Sequence, residues 1–412
     1  MEVELTIDSV AAGGDGVGRT SGLVVFVPRT AAGDVVRVKA EARAGARFAR
    51  GALVDVVAPA PSRVEAPCRH YVRDDCGGCQ LQHIAYQAQV DAKRGIIRDA
   101  LVRIARREVQ LPEVRPSPNE WRYRRKLTLA LRWTHGRWIA GLHPFHDPDY
   151  VFDLEDCPIT QEPVLEVWRA IMSHSRLLPR VARLRGAVRI LDGGASFVLE
   201  GATAWPQARK LFDAVPALTA LWWQPEGHRR RPIAHRDPAG GHADSASFVQ
   251  VNPAVAESLR EHVVERTASY APARVVDCYA GSGDTAVRLT DAGTEVVAVE
   301  LDRDAAAAAA RRLMPPSRAI AGAVEDVLPE LLPADVVILN PPRTGLDARV
   351  PATLQETPSA PRGVLYVSCN PATLARDLSR MPRYRIASLV GFDMFPQTAH
   401  VETVCALVPE AA

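Results

Sequence analysis

VVDCYAGSGDTAVRL, Val275 to Leu289, reads as an apolar strand, a glycine turn and a helix, and it decides the fold of the last third of the chain. Gly281 and Gly283 let backbone approach a ligand closely, and the helix that follows opens with free amide donors. The stretch also satisfies G-x-G-x-x-A with Ala286 in the last place, so a nicotinamide-binding domain fits it as well. Working outward, TEVVAVE, ADVVILNPP and GVLYVSC repeat the alternation of apolar strand and helix. Such alternation predicts a parallel sheet with helices on both faces, whose ligands bind beyond the carboxyl ends of the strands. The strands end on Asp277, Glu300, Asn340 and Cys369, four chemically capable side chains directed to one crevice. Glu300 is placed to accept hydrogen bonds from ribose hydroxyls. Asp326, after the next strand, is either an adenine contact or a helix cap. The helix from Asp302 to Leu313, acids first and arginines last as the macrodipole prefers, is scaffold.

LYVSCNPATLARD, Leu365 to Asp377, is a strand running into a helix, with Asn370 as N-cap and Pro371 in the first turn. Cys369 then lies just outside a helix N-terminus, where a thiolate is stabilised and the thiol pKa is expected to fall. NPPR, Asn340 to Arg343, makes a stiff turn that can hold Asn340 toward a planar substrate and offer Arg343 to a phosphate. HVETV, His400 to Val404, places Glu402 in a strand-like run, either as an exposed acid or as a general base.

Upstream, VELTI, GLVVFV, DVVRVKA and GALVDVV are short strands punctuated by GGDGVGR, Gly13 to Arg19, whose glycines are read as supplying positive φ in tight turns. A small barrel is expected over 1–58, with Arg19, Arg29, Arg37 and Lys39 giving it a basic surface; barrels of this size bind oligonucleotides or serve as spacers. After the proline-containing APAPSR, a central mixed α/β domain spans 59–245, with a helix from about Tyr86 to Arg107. WRYRRKLTLALRW, Trp121 to Trp133, interleaves aromatic and basic side chains at its start, a pattern that stacks bases or forms an ordinary strand edge. HRRRPIAHRDPAGGH, His228 to His242, reads as a polar loop, and 246–412 is the last domain.

The chain has 412 residues, 47% hydrophobic and 24% charged, which suits a multidomain globular protein and excludes global disorder. Net charge is only +2, but Met1 to Ala130 holds 21 Lys/Arg against 15 Asp/Glu, an asymmetry that suits an anionic partner. The first residues lack a basic segment followed by an apolar run, and no stretch approaches the ~20 apolar residues that span a bilayer. A cytoplasmic protein without a membrane segment is expected. Seven cysteines, an odd number, argue against a disulfide framework. Cys68, Cys76 and Cys79 form C-x7-C-x2-C, and Cys157 precedes Pro158; four thiolates of this kind bind zinc or an iron–sulfur cluster, and residue type alone favours zinc as the commoner structural centre.

Together these elements resemble the RNA 5-methyluridine methyltransferases, in the branch with an N-terminal TRAM domain and an iron–sulfur cluster. GGDGVGR resembles the TRAM signature; SFVQVNP (Ser247 to Pro253), NPPR, VSCNPATLARD and MFPQTAHVET resemble motifs of the family, and the likeness covers essentially the whole chain. It implies an OB-like TRAM barrel and a Rossmann-like methyltransferase domain. It implies further that Cys68, Cys76, Cys79 and Cys157 hold a [4Fe-4S] cluster, overriding zinc, and that Gln250, Tyr279, Asp284, Glu300 and Asp326 line the S-adenosylmethionine site beside Gly281, Gly283 and Asn340. Cys369 would be the nucleophile and Glu402 the general base. The implied substrate is RNA, 23S ribosomal RNA because TRAM and cluster occur together, with a transfer-RNA T-loop uridine as the alternative, and the implied enzyme is a monomer. Two positions depart from the family: Asn340 stands where Asp is usual, and Asp284 where Asn is usual. Asn340 can pair with uracil or with cytosine, which leaves the pyrimidine open. The same departures keep an inactive RNA-binding homologue as a second class of reading.

Overall fold

The computed structural model describes residues 2–41, 47–236 and 250–410. Its contacts define two units, one formed by Met1–Arg63, Ile84–Pro118 and Ala254–Ala412, the other by Val64–His83 and Asn119–Pro253. Among the described residues, no helix is long and apolar enough to cross a membrane.

The first unit begins with a closed five-stranded barrel, in the order Glu2–Val10, Gly16–Thr20, Leu23–Val27, Phe48–Ala58, Val35–Glu41. Alternation places Leu5, Ile7, Val25, Val27, Val36 and Val38 inside, each at most 5% exposed, while Arg37 and Lys39 face out. The glycine-rich segment differs from its expected role. Only Gly14 of Gly13, Gly14, Gly16 and Gly18 takes a positive φ, 89°; Gly16 and Gly18 lie in a strand. A Cβ on Gly16 would stand 2.1 Å from Thr30 Oγ1, and one on Gly18 2.4 Å from Leu5 Cδ1. These glycines serve close approach across a small barrel.

The same unit carries an eight-stranded sheet, in the order Arg318–Ala321, Glu295–Glu300, Arg274–Cys278, Val336–Leu339, Gly363–Ser368, Glu402–Pro409, Tyr384–Phe392, Glu113–Arg115. Counted in chain order from Arg274, its first seven strands run 3-2-1-4-5-7-6, and the last strand in the chain, Glu402–Pro409, is antiparallel to both neighbours. A dinucleotide-binding sheet runs 3-2-1-4-5-6 without that reversed insertion. Val275, Val276, Val297, Val337, Leu339, Val364 and Leu365 are inaccessible to solvent, as strands covered on both faces require. The helix expected over 86–107 is α-helical over Tyr86–Ala100 and continues as a π-turn, Leu101–Ala105. It reaches the segment that leads into Glu402: Gln89 exchanges two hydrogen bonds of 2.9 Å with Gln397, and Lys93 donates to Asp393 and to the Phe395 carbonyl. Lys93 and Asp393 are both fully buried, so each charge depends on the other.

The second unit is a seven-stranded sheet in the order Arg231–His235, Leu218–Gln224, Gly194–Glu200, Arg183–Leu191, Lys126–Thr134, Arg137–Leu142, Phe152–Asp153. The helix Glu162–Ser173 packs on it through Val164, Trp168 and Ile171. Two expectations are corrected. Arg231–His235, read as loop, pairs antiparallel with Leu218–Gln224; residues 237–242 of that loop lie outside the described ones. The aromatic and basic run at Trp121 precedes the strand, and Tyr123 is 1% exposed. That ring is core and has no free face for a base. Arg122 is engaged by Asp156 and by the carbonyls of Cys157 and Thr160.

Candidate active site and cysteine cavity

The parallel strands bring Asp277, Glu300, Asn340 and Cys369 to one edge of the sheet, as their positions at strand ends predict. Between the first strand and its helix, Tyr279, Gly281 and Gly283 all take positive φ, 61°, 56° and 81°. Gly283 is required by packing, since a Cβ there would lie 2.9 Å from the Ala309 methyl, whereas the Gly281 position faces open space. Glu300 braces this turn by accepting from the Gly281 amide at 2.9 Å and from the Asp302 amide at 2.9 Å. Asp277 is buried with Oδ2 unpartnered, and burial together with the Glu300 charge pushes its carboxyl up to about 7. An open cradle over Gly281, a braced acidic tip and an orphaned carboxylate oxygen form a site for a polar ligand.

Two acids expected beside that ligand are engaged by arginines. Asp284 accepts from Arg312 at 2.6 Å, so its extra charge is balanced from the helix Arg303–Arg312. Asp326, in the first turn of the helix Val324–Leu331, accepts from Arg349 at 2.6 Å. Gln250 belongs to the second unit, and Ser247, Phe248 and Val249 of its motif lie outside the described residues.

Cys369 follows the strand Gly363–Ser368, and Asn370 caps the next helix by accepting from the Ala372 amide at 3.0 Å. Because Glu402–Pro409 runs antiparallel beside that strand, with Ser368 opposite Thr403, its first residue falls at the same edge as the cysteine. Glu402 is 4% exposed, not an exposed strand acid. Burial pushes its carboxyl up to about 7 against the opposing effect of Arg343. The expected fall in the Cys369 thiol is reversed: burial and then the Glu402 charge raise it, and Arg343, through charge and a hydrogen bond, only partly offsets them. Arg343, assigned from sequence to a phosphate, therefore bears on both the thiol and the buried acid. Its sequence signal was the stiff NPPR turn; its partners follow only from strand order.

In the second unit, Cys68, Cys76, Cys79 and Cys157, each at most 9% exposed, line one cavity together with His70, Gln82, Arg124 and Thr160. Burial raises the Cys79 thiol, and the other three cysteines add to the effect. Among the described residues, no group of three or more His, Cys, Asp or Glu side chains meets the geometry of a bound metal ion. All seven cysteines are free thiols.

Strand order and crevice define an S-adenosylmethionine-type methyltransferase fold, and the comparisons with known proteins carry this further. Residues 325–409 match the model of the tRNA (uracil-5-)-methyltransferase family, and residues 1–54 match the TRAM domain. A protein of Thermosynechococcus vestitus named as an uncharacterised RNA methyltransferase is 35% identical over 98% of this chain and 97% of its own. A similarly named protein of Gloeobacter violaceus is 31% identical over 98% of this chain and 96% of its own. The tRNA (uracil-54, C5)-methyltransferase of Pyrococcus abyssi, solved with S-adenosyl-L-homocysteine, is 23% identical and superposes with a TM-score of 0.69 over 98% of this chain and 100% of its own, which establishes the fold. The chain belongs to the RNA methyltransferases of the tRNA (uracil-5-)-methyltransferase family and carries an N-terminal TRAM domain.

Proposed function

We propose that the chain is a cytoplasmic, monomeric RNA uracil-C5 methyltransferase acting on 23S ribosomal RNA, with Cys369 as nucleophile and Glu402 as general base. The observation that carries this reading is the meeting of Cys369, Arg343 and Glu402 at the strand edge that also bears the glycine turn. The open space over Gly281, the Glu300 brace and the orphaned Asp277 oxygen fit S-adenosylmethionine, which supplies an electrophilic methyl group when bound. Tyr279, Gly283, Asp284 and Asp326 complete its site in this reading.

C5 of uracil is a poor nucleophile. The Cys369 thiol gives up its proton to solvent and its sulfur forms a bond to C6, the C5=C6 electrons moving toward O4; C5 of that enolate then donates its pair to the sulfonium methyl group, whose bond to sulfur breaks to leave S-adenosyl-L-homocysteine. Glu402 then takes the C5 proton; the electrons of that C–H bond restore C5=C6 and expel the sulfur. A carboxyl held near 7 is matched to that transfer at neutral pH. A paired base must leave its stack to reach the crevice. Asn340, at the end of its strand, faces the base and accepts from N3–H while donating to O4.

The domains would divide the work at 58 and 245, with barrel and central domain binding RNA. Cys68, Cys76, Cys79 and Cys157, a soft-donor set around one cavity, would hold a [4Fe-4S] cluster in this reading, and the cluster when bound would tie 68–79 to 157. Anaerobic purification is expected to give a brown protein with iron and sulfide in about a 1:1 ratio; a colourless protein with stoichiometric zinc would contradict it.

The functional reading is tested by incubating the protein with labelled S-adenosylmethionine and either 23S ribosomal RNA or transfer RNA, then mapping the methylated nucleotide. 5-Methyluridine in the ribosomal RNA is expected. A T-loop product would transfer the assignment to transfer RNA, the substrate named for the similarly folded Pyrococcus enzyme; 5-methylcytidine would assign a different base to Asn340. RNA binding without turnover would leave an inactive homologue.

A further inference from the structure

The turn that carries Asn340 and Arg343 is anchored from the helix that follows Cys369. Asp377, on the helix Pro371–Ser379, is fully buried. Its Oδ2 accepts from the Leu346 amide at 2.8 Å and from the Tyr366 hydroxyl at 2.8 Å. Its Oδ1 accepts from Arg376 Nε at 2.9 Å and Nη2 at 2.8 Å, and the same Nη2 donates to the Thr344 carbonyl at 2.8 Å. Gly345, between those two anchors, takes φ +79°, and a Cβ there would lie 2.4 Å from Arg376 Nη2 and 2.5 Å from Asp377 Oδ2. The turn therefore sits flush on this carboxylate, with backbone fastened immediately after Arg343 and again at Leu346.

Tyr366 belongs to the strand that ends one residue before Cys369, so a single carboxylate joins strand, helix and turn. Its charge is met by Arg376 and, at 3.6 Å, by Arg380, while Leu346, Leu374 and Leu378 are each at most 4% exposed. A buried charge in such a place is costly unless fully hydrogen-bonded, and packing alone would be met by an apolar side chain. What Asp377 adds is a fixed position for the turn.

We propose that Asp377, acting with Arg376, is a positioning residue that fixes the turn carrying Arg343 beside the strand end that bears Cys369 and so sets the reactivity of that thiol. The proposal rests on the reading of Cys369 as nucleophile. Asparagine at 377 would turn one acceptor into a donor facing either the Leu346 amide or Arg376, both donors, and the turn would loosen.

The test is the pH profile of Cys369 alkylation by iodoacetamide, read by peptide mass in the full chain, for wild type, D377N, R343M and the double variant. D377N is expected to move the alkylation midpoint to higher pH by about one unit, as loss of a hydrogen-bonding cation does to a thiolate. It is expected to slow methyl transfer about tenfold or more while S-adenosylmethionine affinity holds. R343M should give the same shift and the double variant no further one, as coupled residues require. A wild-type profile in D377N, or shifts that add in full, would overturn the proposal. Should D377N not fold, R376M removes the Thr344 anchor from a part-exposed side chain and leaves Asp377 bonded to Leu346 and Tyr366; it must shift the midpoint in the same direction, and an unmoved midpoint overturns the proposal. Methyl transfer surviving in Cys369→Ser would instead refute the nucleophile while leaving these thiol profiles intact.

Discussion

Replacing Cys369 with alanine is expected to lower methyl transfer by on the order of 10⁴-fold or more, the scale seen when a covalent nucleophile is removed, with S-adenosylmethionine binding unchanged. The size follows from chemistry: without addition at C6 there is no enolate, and C5 has no electron pair to give. Serine is expected to fare no better, because its hydroxyl stays protonated at neutral pH. The discriminating measurement uses RNA carrying 5-fluorouridine at the target. After methyl transfer, C5 of that base bears fluorine where the proton should be, the sulfur cannot be expelled, and a denaturation-resistant protein–RNA adduct accumulates. Wild type should form the adduct and C369A none; an adduct in C369A would move the nucleophile elsewhere. Because burial and the Glu402 charge raise the thiol, the neutral form dominates near pH 7, and adduct formation should quicken as pH rises.

The parts of this site legible in the sequence are those set by local structure. Periodicity gave the strands, and a strand ending just before a capped helix gave Cys369 its place; both survive in the structure because neither depends on what packs alongside. The direction of the thiol shift was misread for the complementary reason. A helix N-terminus is a local feature, whereas the opposing effects come from burial and from Glu402, which lies 33 residues further along. From its own stretch Glu402 stayed open between an exposed acid and a general base, since nothing in HVETV reveals that its strand inserts antiparallel between Gly363–Ser368 and Tyr384–Phe392. The balancing of Asp284 by Arg312 was hidden likewise, because a sequence shows a charge without its partner.

The glycines show the same limit on a smaller scale. Gly14 and Gly283 are positive-φ positions, as glycine in a turn suggests, but Gly16 and Gly18 are glycine because neighbouring strands leave no space for a Cβ. The two causes look alike in one sequence. Domain organisation has a further obstacle: Ile84–Pro118 joins the unit of the catalytic sheet although chain on both sides of it joins the other unit, a return that no linear reading of composition reveals.

Glu402→Gln is the second variant with a large expected effect, and it should fail at a different step from C369A. Glutamine keeps the size of the side chain and its hydrogen-bonding capacity but cannot take a proton. Addition of Cys369 and methyl transfer should both proceed once, after which the C5 proton has no acceptor and the sulfur stays bonded to C6. The expected outcome is one methyl group per enzyme, held in a covalent RNA adduct on natural uridine, with turnover near background. The sign of the pH effect follows from burial. The Glu402 carboxyl is held up to about 7, so it is mostly protonated below that value and mostly a base above it. In wild type the adduct should therefore be longest-lived in mild acid and resolve faster as pH rises through about 7, whereas in E402Q its lifetime should not follow that titration. Quantifying denaturation-resistant adduct against pH for both proteins checks the assignment. An E402Q enzyme that turns over normally, or an adduct lifetime in wild type that ignores pH, would remove Glu402 from the role of base.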